Sequence, residues 1–152
     1  MQTLTLEKTL EEHPLLRGMN EQHLRTLAES ATVVRFEPGD VIFEEGEPAH
    51  HFYLIRTGKV ALQLTSYRVE PFTLMTLEEG DIIGWSWLFP PYRWKFTARA
   101  LDVIRAISLD GRSVCAKCDE NHDLGYELMK RFAQIIENRV EALCVHLVAE
   151  EK

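Results

Sequence analysis

Three tryptophans, Trp85, Trp87 and Trp94, fall within ten residues of one another, and the chain has no others. They lie in the stretch Gly80–Ala100, GDIIGWSWLFPPYRWKFTARA. There an aliphatic run reaches Ile83 and turns at Gly84. A short apolar segment containing Ser86 follows, Pro90-Pro91 breaks it, and Arg93 and Lys95 flank Trp94 before the chain becomes extended again. A helical turn that opens at a glycine presents free backbone N–H groups, and with an arginine nearby it is suited to hold an anion. The indoles add either an aromatic-lined pocket, on which a base or a cation stacks, or a plug of large side chains that fills such a pocket at little entropic cost. The candidate ligand residues are therefore Ile83, Gly84, Trp85, Ser86, Trp87, Arg93, Trp94 and Lys95.

Two other patterns carry reactive side chains. Cys115-Ala116-Lys117-Cys118 puts two thiols on one helix face, with a lysine able to lower a thiol pKa, as a redox switch requires. Two small residues packing a short helix is the simpler reading, and no further ligands follow to complete a zinc site. His50-His51 at a turn would suit a metal only if the two rings converged, but neighbours on a strand point to opposite faces. With no G-x-S-x-G elbow and no Walker or Rossmann glycine pattern, the expectation is a noncatalytic protein with no metal and no resident cofactor.

The elements that position these residues follow from periodicity. Residues 1–30 read as a helical segment: Leu4, Leu6 and Leu10 precede the His13-Pro14 break, and Asn20 caps a helix with Leu24 and Leu27 inward. Residues 31–110 change to short runs rich in β-branched and aromatic residues, separated by turns at Pro38-Gly39-Asp40, Gly46, Gly58 and Gly80-Asp81. This spacing predicts an all-β sandwich or roll, with 80–100 as its functional loop. Glu37-Pro38-Gly39-Asp40-Val41-Ile42 returns as Glu78-Glu79-Gly80-Asp81-Ile82-Ile83, as two equivalent corners of a double-layered roll would. Residues 111–152 turn helical again, and the whole reads as one domain. The last helix is apolar around nearly half its circumference, more than one packing stripe needs.

The chain has 152 residues, 45% hydrophobic and 27% charged, with a formal charge of -7. That describes a globular protein whose acidic surface disfavours nucleic acid. It has no apolar run long enough for a membrane span and no secretory leader, and its three cysteines lack disulfide-framework spacing. The expected location is the cytoplasm.

In this order the elements resemble the cyclic-nucleotide-binding domain family, the effector domain of catabolite-activator-type regulators and kinase regulatory subunits. The resemblance rests on Phe36-Glu37-Pro38-Gly39-Asp40-Val41-Ile42-Phe43, Glu45-Gly46-Glu47-Pro48-Ala49, Phe52-Tyr53-Leu54-Ile55, Gly58-Lys59-Val60 and Leu77 to Gly84. It implies a double-stranded β-helix or jelly roll of eight strands, followed by B and C helices. The stretch around Gly84 then occupies the place of the family's phosphate cassette. Where the family has a glutamate that accepts from the ribose 2′-hydroxyl, this chain has Trp85, whose indole has a donor and no acceptor. The family's phosphate arginine aligns with Trp94. The resemblance also implies a dimer along the C helix, here through Leu128, Phe132, Ile135, Arg139, Leu143 and His146.

The reading that follows is a sensor or regulatory domain without a helix-turn-helix. It would bind a small anion, a cyclic nucleotide among the candidates, between the Gly84 turn and the C helix, and act through a protein partner. The alternatives are a ligand-free interaction module with a tryptophan-plugged pocket, and a thiol redox protein using Cys115 and Cys118.

Overall fold

The computed structural model describes residues 2–66 and 69–150. Side chains 2–5, that of Leu4 among them, are not described. The chain forms two compact units, residues 1–116 and 117–152.

The first unit opens with helix α1 (Gln2–Glu12), which stops before His13-Pro14, and α2 (Glu21–Ala28). Asn20 caps α2 as expected, its Oδ1 accepting from the N–H groups of Gln22 at 2.7 Å and His23 at 3.4 Å. Eight strands follow: β1 (Ala31–Phe36), β2 (Val41–Phe43), β3 (His51–Thr57), β4 (Val60–Leu64), β5 (Phe72–Leu77), β6 (Ile82–Ile83), β7 (Thr97–Ala100) and β8 (Ile104–Asp110). They pair antiparallel in two four-stranded sheets, ordered β1-β8-β3-β6 and β2-β7-β4-β5. The strand spacing called for a sandwich or roll, and this is the eight-stranded jelly roll that the family resemblance implies. Its core includes the aliphatic side chains of Leu54, Ile55, Val60, Ile82, Ile83, Ile104 and Ile107, all at 0% exposure.

The repeated Glu-x-Gly-Asp motif makes two matching corners. Glu37 N–H donates to Asp40 Oδ2 at 2.7 Å, and Glu78 N–H to Asp81 Oδ2 at 2.8 Å. Asp40 and Asp81 return a backbone bond to Glu37 and Glu78, and Gly39 and Gly80 both sit at φ +89. The aspartate side chain closes each turn locally, and glycine supplies the left-handed conformation between.

Helix α3 (Gly111–Glu120) spans the boundary of the two units, and α4 (His122–Glu150) fills the second. Asn121 caps α4 through Oδ1 to the N–H groups of Asp123 and Leu124. Leu124, Leu128 and Phe132 are buried, whereas Val140, Val145, Leu147 and Val148 are more than half exposed. Among the described residues no helix is long and apolar enough to cross a membrane.

Candidate functional site

Strand β6 delivers Ile83 to Gly84, which turns the chain at φ +93. A single 3-10 turn, Ser86–Leu88, follows, with Trp85 ahead of it making no side-chain cap. Trp87 points inward, 5% exposed. It stacks on Phe52 with centroids 4.8 Å apart, and its Nε1–H donates to the Gly84 carbonyl at 3.3 Å. Gly111 makes room for it, because a Cβ there would lie 2.8 Å from the Trp87 ring.

Trp94 reaches Gly84 from the other end of the loop. Its Cη2 and Cζ3 lie 2.5 Å from where a Cβ on Gly84 would stand, so the ring fills the space that the missing side chain leaves. Phe43 backs the indole with centroids 3.7 Å apart and planes within 10°. The backbone of Trp94 is fixed as well: its N–H donates to the Glu47 carbonyl at 2.9 Å, and its carbonyl accepts from Gly46 N–H at 2.7 Å. Ala49 N–H to the Tyr92 carbonyl completes the pairing at 2.7 Å.

The eight candidate residues therefore divide. Ile83, Gly84, Trp87 and Trp94 meet at one turn, with Trp85 and Ser86 half-buried beside it. Arg93 is exposed and donates from Nη1 to the Gly46 carbonyl at 2.9 Å, and Lys95 is exposed. Sequence reasoning did not single out Phe43, Phe52 or Gly111, which hold the two indoles. Each is far from its tryptophan in the chain, and no local pattern joins them.

His13 braces the approach to the turn. It is 5% exposed; its Nε2–H donates to the Asp81 carbonyl at 3.2 Å, and its Nδ1 accepts from Leu15 N–H at 3.1 Å. The bond accepted by Nδ1 requires the neutral imidazole. Burial lowers the pKa of His13 below its ordinary value, more than the bond to Asp81 raises it.

On α4, Leu128 and Phe132 are buried, Ile135, Arg139 and Leu143 are half-buried, and His146 is exposed, 3.3 Å from Glu150 Oε1. Cys115 and Cys118 are half-buried thiols. Among the described residues no group of three histidines, cysteines or carboxylates is placed to hold a metal.

The sequence profile of the cyclic nucleotide-binding domain matches residues 33–121. Among curated proteins, a cAMP-dependent protein kinase regulatory subunit of Hypocrea atroviridis is 35% identical over 78 residues, 51% of this chain and 16% of that protein. A CRP-like cAMP-activated global transcriptional regulator of Mycobacterium tuberculosis is 22% identical over 129 residues, 85% of this chain and 58% of that protein. The chain thus spans less than two thirds of either relative. Among solved structures, a putative cyclic nucleotide-binding protein from Geobacter metallireducens superposes with a TM-score of 0.79 at 26% identity, covering 88% of this chain and 97% of that one.

Proposed function

The chain belongs to the cyclic nucleotide-binding domain family, and on that premise we propose that it is a noncatalytic regulatory domain whose phosphate turn is closed by its own tryptophan. The observation that carries this reading is the contact of Trp94 with Gly84. A phosphate seated on the backbone N–H groups of such a turn must approach the glycine closely. The indole already lies there, 2.5 Å from the would-be Cβ. Trp85 removes the ribose acceptor, and Arg93 is engaged with the Gly46 carbonyl. The domain then works through protein contacts.

One such contact is with a second copy of itself. Ile136, Val140, Leu143 and Leu147 follow one another at steps of four, three and four, the repeat of a coiled-coil seam. Val140 and Leu147 are 54% and 66% exposed, an apolar face that a parallel copy of α4 would cover.

A second reading keeps the expected small anion. Arg93 and Lys95 stand exposed on either side of Trp94 in the chain, the cationic side chains nearest the turn in sequence. Titration with cyclic AMP and cyclic GMP, read by tryptophan fluorescence and melting temperature, separates the two. No saturable change supports the closed turn, and a saturable change establishes the anion site.

A further inference from the structure

The side of the aromatic cluster away from the turn borders a cavity of about 260 Å3. Phe43, Tyr53 and Trp94 give it aromatic walls, and Glu47, His50 and His51 stand at its rim. The Tyr53 ring lies 6.5 Å from Phe43, with planes 22° apart, and 6.5 Å from His51. We propose that this cavity binds a small organic ammonium ion, with the aromatic walls taking the cationic head and Glu47 supplying the counter-charge.

The chemistry of the lining selects that class of ligand. Aromatic faces attract an ammonium group through the ring quadrupole. Glu47 uses Oε1 to accept from Glu44 N–H at 2.9 Å, which orients the carboxylate and leaves Oε2 for a ligand. Among the described residues no lysine or arginine lines the cavity, so a phosphate would meet the Glu47 charge without a permanent cation to offset it. The formal charge of -7 favours accumulation of cations at the surface. A metal ion is not the occupant indicated, because no metal-holding group of three exists among the described residues.

This cavity shares Trp94 and Phe43 with the cluster at the turn but calls for a ligand of the opposite charge, so choline and cyclic nucleotides test the two readings separately. Choline titrated into the full chain and followed by calorimetry is expected to bind saturably in the millimolar range. Its uncharged isostere 3,3-dimethylbutan-1-ol should bind at least about tenfold more weakly, because the cation–π attraction is lost. Glu47→Gln, which keeps an acceptor for the Glu44 N–H, should weaken choline about tenfold by removing the counter-charge. Tyr53→Leu should do the same by removing an aromatic wall; if that variant does not fold, the isostere and Glu47→Gln decide. No saturable choline binding, equal affinity for the neutral isostere, or undiminished binding by Glu47→Gln would overturn the proposal.

Discussion

The rings of Phe43 and Trp94 lie face to face, 3.7 Å between centroids, and both side chains are under a tenth exposed. Phe43 comes from the second strand and Trp94 from the loop before the seventh. Their stack ties the loop to the roll and holds the indole against Gly84. Trp94 is thereby part of the core.

Trp94→Ala should therefore destabilise the domain as a core truncation does, by about 3–5 kcal/mol, measured by urea unfolding. Arg93→Ala, which removes an exposed side chain and one bond to a carbonyl, should cost about 1 kcal/mol or less. Equal and small losses at the two positions would mean that Trp94 is not packed as described.

His13 makes stability depend on pH. Its folded pKa lies below the ordinary value of about 6.5, with burial as the main cause. Between the two values the unfolded chain binds more protons, so stability rises with pH across that window. It is lost as pH falls from about 6.5 toward the folded pKa. Urea midpoints taken across mildly acidic pH should show this decline, and His13→Gln, which keeps an Nε2 donor toward the Asp81 carbonyl, should flatten it. An unchanged slope in the variant would refute the role given to His13.

The α4 seam predicts a homodimer. Light scattering should report twice the 17.6 kDa chain mass, and Leu143→Asp with Leu147→Asp should return it to one chain mass without unfolding the roll. A wild-type monomer at high micromolar concentration would contradict the seam.

The sequence made the roll legible because its signals are local. The two Glu-x-Gly-Asp corners are closed by an aspartate three residues on, and the strands between them are short and β-rich. Strand ends were less clear: β3 runs on to Thr57 because Thr57 pairs with Arg105 across an irregular register, a tertiary fact. The tryptophan cluster was visible as a cluster, but whether it lines or fills a site depends on partners distant in the chain, Phe43, Phe52 and Gly111. Arg93, an anion ligand by residue type, is held by the Gly46 carbonyl through the pairing of 92–94 with 46–49. On α4 the broad apolar face was apparent, yet sequence could not tell that Leu128 and Phe132 are buried while Val140 and Leu147 are exposed.

The most direct test of the closed turn is the NMR shift of the Gly84 Hα protons in the full chain, with and without cyclic AMP. An indole packed on Gly84 places those protons in the ring current of Trp94. The closed turn predicts Hα shifts displaced from ordinary glycine values, which relax in Trp94→Leu and do not move when cyclic AMP is added to millimolar concentration. Ordinary glycine shifts in the wild-type chain, or a saturable movement with the nucleotide, would contradict it.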